Sequence, residues 1–128
     1  MDDKFEDVKV MVIDDSKTIR RTAETLLSKE GCEVITAIDG FDALAKIADS
    51  HPAIIFVDIM MPRLDGYQTC ALIKNNPDFQ GTPVIMLSSK DGIFDRAKGR
   101  IVGCDQYLTK PFSKDELLSA IRDHVKTA

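Results

Sequence analysis

The chain has 128 residues, 44% of them hydrophobic, which suits one domain with a single core, and its formal net charge of −4 (pI near 5.1), without any basic run, argues against nonspecific nucleic-acid binding. The apolar runs fall far short of the ~20 residues of a membrane-spanning helix, and the N-terminal MDDKFED has the wrong charge for a signal peptide. A cytoplasmic protein with no membrane insertion is expected. Cys32, Cys70 and Cys104 lack CxxC spacing, so neither a disulfide framework nor a zinc site is expected, only reduced and mostly buried thiols.

In chain order, strand and helix alternate five times. Lys9 to Ile13 reads as a nearly continuous apolar strand ending at Asp14-Asp15, and Ser16 can cap the helix that follows, with Ile19, Ala23, Leu26 and Leu27 on one stripe. Arg20 and Arg21 read as that helix's wet face, and Gly31 closes it. Glu33 to Ala37 is a shorter, more polar strand; Asp39-Gly40 turns into a helix carrying Ala43, Leu44, Ile47 and Ala48, which His51-Pro52 ends. Ala53 to Val57 is apolar and largely β-branched, as in a strand covered on both faces, and it stops at Asp58. A third helix runs from Gly66 to about Asn75, Asn76-Pro77 breaks it, and Val84 to Leu87 forms a fourth strand ending at Ser88-Ser89. The fourth helix is expected to carry Phe94, Ala97 and Ile101. Asp105 to Thr109 is a short strand before Lys110-Pro111-Phe112, and Ser113 with Glu116 fits a capping box for a last helix bearing Leu117, Leu118, Ile121 and Val125.

Strict β/α alternation with short connections predicts a doubly wound α/β fold, a five-stranded parallel sheet with helices on both faces. Strands one, three and four are apolar throughout and suit the centre; the polar residues of strands two and five suit the edges, giving the order 2-1-3-4-5 of flavodoxin-like folds. Ligands then sit beyond the carboxyl ends of the strands, where Asp14-Asp15, Asp58, Ser88 and Lys110 converge. Three carboxylates so close repel one another unless a cation lies among them, and a hard divalent ion, Mg²⁺, suits oxygen donors. With the ion and Lys110 screening its charge, Asp58 can attack a phosphoryl group to give an aspartyl phosphate, and Ser88 can donate to a phosphoryl oxygen.

Those residues, with Tyr107 and Lys110-Pro111-Phe112, resemble a response-regulator receiver domain of the chemotaxis-regulator type over essentially the whole chain. The stretch Leu87 to Phe112 is most similar to the twitching-motility regulators of type IV pili. The resemblance implies the (βα)5 receiver fold, Asp58 as phosphoacceptor, Mg²⁺ held by Asp15, Asp58 and the carbonyl of Met60, with Asp14 assisting through a water, Ser88 and Tyr107 as a switch pair, Lys110 paired with the phosphate, and a cis Lys110-Pro111 bond. It also implies a sensor histidine kinase as phosphodonor, of the hybrid kind in the pilus sub-family, and control of pilus extension. Serine at 88, where threonine is commoner, keeps the hydroxyl. One receiver domain over residues 1–128 with no effector domain is expected, signalling in trans to an output protein through the fourth helix, fifth strand and fifth helix.

Several positions carry two readings. Met60 cannot orient an attacking water, whereas Lys90 either tunes phosphoryl lifetime or is a solvated residue. Gly92, Gly99 and Gly103 either make the fourth helix marginal and mobile or mark a close-packing contact, since an interior glycine costs about 1 kcal/mol relative to alanine. His51 and His124 read as solvated, Met60-Met61 as local packing and Cys104 as a buried, inert thiol. Among rival functions, a flavin carrier is disfavoured because Asp14-Asp15 would repel the flavin phosphate, and a Mg²⁺-dependent phosphoaspartyl hydrolase wants a DxD pair and a cap. A phosphate-independent binding module remains the alternative.

Overall fold

The computed structural model describes residues 5–89 and 94–125; Lys90 and Gly92 lie outside them. The elements are β1 (Lys9–Ile13), α1 (Lys17–Ser28), β2 (Glu33–Ala37), α2 (Gly40–Ser50), β3 (Ile54–Asp58), α3 (Gly66–Lys74), β4 (Val84–Ser89), α4 (Arg96–Val102), β5 (Gln106–Lys110) and α5 (Lys114–His124). The five strands are parallel in the order β2-β1-β3-β4-β5, as the polarity of the two edge strands predicts. Every residue of β3 is buried, so its unbroken apolar run reflects helices on both faces. Alternation divides the core: Val10, Val12, Phe56 and Leu87 point towards Ala23 and Leu27 of α1 and Leu117 and Ile121 of α5, whereas Met11, Ile13, Val57 and Met86 meet Ala43 and Ile47 of α2 and Cys70 and Ile73 of α3.

Helix ends follow the local sequence. Ser16, Asp39, Asp65 and Ser113 each accept a backbone N–H in the first turn, with full capping boxes at Asp65–Gln68 and Ser113–Glu116. Asp39 is also paired with Arg63. His51 ends α2 in the left-handed region, φ 49°.

Four expectations about these elements need correction. The fourth helix starts at Arg96, one residue after its cap Asp95, so Phe94 precedes it; Ala97 is exposed and Ile101 is 84% exposed. The face turned inward is that of Gly99: a Cβ there would lie 2.6 Å from Phe94 Cζ and 3.0 Å from Cys104 Sγ, which favours the close-packing reading of this glycine. Asp105 precedes β5 and ties it down, its carboxylate accepting from the Val84 N–H at 2.8 Å and Lys74 Nζ at 3.0 Å. His124 is half-buried, its Nε2 2.7 Å from Gln106 Oε1. Cys32 and Cys70 are buried as expected, whereas Cys104, expected to be buried, is half-buried just past the end of α4; burial pushes the thiol pKa up, to about 11 at Cys32 and about 12 at Cys70. No helix among the described residues is long and apolar enough to cross a membrane.

Gly66 begins α3 directly behind the end of β3. A Cβ here would meet the Asp58 carbonyl oxygen at 2.5 Å and Ile59 Cα at 2.7 Å, backbone atoms that cannot give way as a side chain would. Gly66→Ala is therefore expected to lower stability by about 2 kcal/mol, measured by urea denaturation; a loss within error of zero would show that β3 and α3 separate easily.

Candidate functional site

Four strands deliver their carboxyl ends to one corner. Asp14 follows β1, Asp58 ends β3, Ser88 lies near the end of β4 and Lys110 ends β5. Carboxylate oxygens of Asp14, Asp15 and Asp58 lie within 4.8 Å of one another; Asp14 and Asp58 are buried and Asp15 is exposed. Lys110 reaches into the corner, Nζ donating to Asp58 Oδ1 at 3.0 Å and to Asp14 Oδ2 at 3.2 Å. Asp14, Asp15, Asp58 and Lys110 are thus brought together, Ser88 lies near the end of β4 and Met60 two residues past β3, Lys90 lies outside the described residues, and Tyr107 stands apart.

Local hydrogen bonds fix the acids. Asp14 Oδ1 accepts the Ser16 N–H at 2.9 Å, so the start of α1 orients this carboxylate. The Asp14 carbonyl accepts from Arg20 Nη1 at 2.7 Å. Arg20 therefore corrects the wet-face expectation: it is half-buried and braces the β1 end of the site. A signal was present, since Arg20 stands three and seven residues before Ala23 and Leu27, the two buried positions of α1. The Met60 side chain is exposed, and its backbone N–H favours the charged form of Asp58. Ser88 is buried, and among the described residues its Oγ donates a long 3.3 Å bond to the Ser89 carbonyl.

The electrostatics follow from crowding. Burial, with the neighbouring charge of Asp14, pushes Asp58 up to about 6, against the opposing pull of Lys110. Asp14 is also raised, chiefly by burial. Burial works against the Lys110 ammonium, yet its bond to Asp58 and the charges of Asp14 and Asp58 hold it above the ordinary lysine value. Among the described residues, one ammonium thus faces three acids. Their all-oxygen donor set fits a hard divalent cation such as Mg²⁺, with exposed Asp15 on the solvent side.

Tyr107 lies on the neighbouring surface. Its hydroxyl accepts from Arg96 Nη2 at 3.3 Å, and its ring stacks on Phe94 with centroids 4.2 Å apart and planes at 14°. Phe94 also faces Tyr67, centroids 6.1 Å apart, and the Tyr67 hydroxyl accepts the Asp95 N–H at 2.9 Å. This aromatic row was missed from sequence because its members belong to three different segments, and no spacing rule connects them.

Residues 10–122 match the family described as the response regulator receiver domain. The chain belongs to that family. It is 82% identical over 125 residues to Protein PilG of Pseudomonas aeruginosa, covering 98% of this chain and 93% of that protein. It is 44% identical to the probable transcriptional regulator ycf27 of Cyanophora paradoxa, covering 89% of this chain but 46% of that longer protein. Among solved structures, the Vibrio cholerae chemotaxis protein CheY4 superposes with a TM-score of 0.87 at 31% identity, covering 93% of this chain and 99% of that one. The receiver domain of Francisella response regulator 1452 gives 0.80 at 37% identity, covering 91% and 95%. The receiver is thus a response regulator similar to PilG, with a CheY-like fold. Its cis Lys110–Pro111 bond agrees with the resemblance drawn from the sequence.

The raised Asp58 pKa has a consequence for stability. The folded form holds a proton at this position between the unfolded carboxylate range near pH 4 and about pH 6, where the unfolded chain has lost it. Stability must therefore fall as pH rises through that window. Without divalent cations, Asp58→Asn should exceed the wild type in stability by about 2 kcal/mol at pH 7.5, the gap shrinking towards pH 4. Thermal melts of both proteins across this range would check it, and a gap independent of pH would contradict the assigned cause.

Proposed function

We propose that this response regulator is a phosphorylation switch whose phosphoacceptor is Asp58. The observation carrying this reading is the buried Asp58 carboxylate at a strand end, 3.0 Å from the Lys110 ammonium and within reach of two further acids. A sensor histidine kinase supplies the phosphoryl group. An Asp58 oxygen attacks phosphorus, the phosphorus–nitrogen bond breaks, and its electron pair leaves with the imidazole, so an acyl phosphate forms on the protein. Protein catalysis of this self-modification, and of its hydrolysis, consists of positioning and charge stabilisation.

Asp15, Asp58 and the Met60 carbonyl would hold Mg²⁺, with Asp14 assisting through a water; the ion, when bound, neutralises charge on the phosphoryl oxygens. Lys110 transfers its Asp58 contact to a phosphoryl oxygen. Ser88 loses little by leaving its long bond to the Ser89 carbonyl, so its hydroxyl is available to a phosphoryl oxygen. Tyr107 then turns inward behind Ser88, and the surface around α4, β5 and α5 changes its affinity for an output protein in trans. The 82% identity to PilG, with the resemblance to twitching-motility regulators in Leu87 to Phe112, supports a role in type IV pilus motility, with a hybrid histidine kinase as donor.

Incubated with Mg²⁺ and acetyl phosphate, the wild type is expected to gain one phosphoryl mass by intact-mass spectrometry, and Asp58→Asn none. Lys110→Ala should slow the gain by about a hundredfold, as for loss of one charge-stabilising donor. If the wild type gains nothing from either acetyl phosphate or a phosphorylated cognate kinase, the chain is a phosphate-independent binding module.

A separate expectation concerns the metal. Asp15→Ala should weaken Mg²⁺ binding at least about tenfold, read by Mg²⁺-dependent thermal stabilisation. Equal stabilisation of both proteins would remove Asp15 from the ligand set.

A further inference from the structure

Every polar group of Asp14 is engaged, each by a different partner. Its N–H donates to the carbonyl of Ala37, the last residue of β2, at 3.1 Å. Its carboxylate accepts the Ser16 N–H on Oδ1 at 2.9 Å and Lys110 Nζ on Oδ2 at 3.2 Å. The carbonyl accepts from Arg20 Nη1 at 2.7 Å, the shortest of the four contacts and a charge-assisted one.

That last bond also bears on Asp15. The Asp14 carbonyl and the Asp15 N–H lie in one planar peptide unit, so a donor that fixes the carbonyl fixes the plane from which Asp15 departs. Asp15 is the exposed member of the three acids, with a carboxylate oxygen within 4.8 Å of those of Asp14 and Asp58. Lys110 bridges the other two. The direction of Asp15 is set by the backbone that carries it.

The charge of Arg20 is unhelpful to a metal site, because a fixed guanidinium beside the acids opposes a second cation. Its neighbour Arg21 stands exposed, whereas Arg20 is half-buried on the stripe of Ala23 and Leu27. A residue placed there for its charge would weaken metal binding; one placed there for geometry strengthens it. The two roles have opposite signs.

We propose that Arg20 is a positioning residue for the divalent-cation site, holding the Asp14–Asp15 peptide so that the Asp15 carboxylate meets Mg²⁺ already oriented. The inference rests on the Mg²⁺ ligand set proposed above and adds to it a residue that acts through the backbone between two of its acids.

Mg²⁺ alone, titrated into the full chain and followed by thermal stabilisation, reads the site without a phosphodonor. Arg20→Met keeps the aliphatic stem but removes donor and charge, and the half-saturating Mg²⁺ concentration should rise about tenfold, as for loss of a partner that orients a metal ligand. Arg20→Lys keeps a donor and the charge and should stay within about threefold of wild type. Arg21→Met removes the same charge from the exposed face and should leave binding unweakened. Phosphoryl uptake by Arg20→Met from acetyl phosphate, read by intact mass, should be slow at low Mg²⁺ and return to within about twofold of wild type at saturating Mg²⁺, a recovery that a damaged fold would not show. Should Arg20→Met not fold, Arg20→Gln, too short to make the same bond, carries the same expectations.

Mg²⁺ binding by Arg20→Met equal to or tighter than that of the wild type overturns the proposal, since tightening is what a neighbouring charge alone would give. So does a loss in Arg20→Lys as large as in Arg20→Met, or uptake that stays slow at saturating Mg²⁺. A wild type whose melting ignores Mg²⁺ removes the metal site and this role together. Weakened Mg²⁺ binding in Arg20→Met, with no phosphoryl uptake by the wild type from acetyl phosphate or a phosphorylated kinase, supports the role of Arg20 and removes the phosphorylation switch instead.

Discussion

One shared ammonium holds the site together. Lys110 spans the buried carboxylates of Asp14 and Asp58 with contacts of 3.2 and 3.0 Å, and without it two buried acids, one following β1 and one ending β3, would face each other unpaired. The compensation is incomplete, because burial still leaves both acids with raised pKa values. That residual cost is useful. A corner short of positive charge favours a divalent cation, and one in which the nucleophile already touches a mobile ammonium can pass that ammonium to an incoming anion. Stability given up at Asp58 is thus the same quantity that favours ligands there.

The frame around this corner was legible because each level of the sequence agreed with the next. Apolar strands with β-branched residues, caps at Ser16 and Ser113, the turn at Asp39-Gly40 and polar edge strands all pointed to one topology, and the topology placed Asp14, Asp15, Asp58, Ser88 and Lys110 at one end of the sheet. Residues far apart in the chain could be grouped because a parallel sheet puts every strand's carboxyl end on the same side.

What stayed hidden depended on side-chain direction across elements. Arg20 has the chemistry of a surface residue, yet its position in phase with Ala23 and Leu27 turns it back on to the Asp14 carbonyl. At α4 the apolar residues misled: Ile101 faces water, and a glycine makes the inward contact because the Phe94 ring and Cys104 leave no room for a Cβ. Hydrophobic periodicity cannot signal a contact made by the absence of a side chain. His124 failed for a similar reason, since its partner Gln106 comes from a strand and not from its own helix.

The span of chain that meets in the corner has one more consequence. Asp14 and Lys110 are 96 positions apart, and β5, which carries Lys110, is joined to the sheet only through β4. The Lys110 ammonium reaches Asp58 and Asp14 only while β5 is seated against β4, so whatever loosens that edge strand also leaves two buried carboxylates without their counterion. The chemistry of the corner is thereby tied to the integrity of one edge of the sheet.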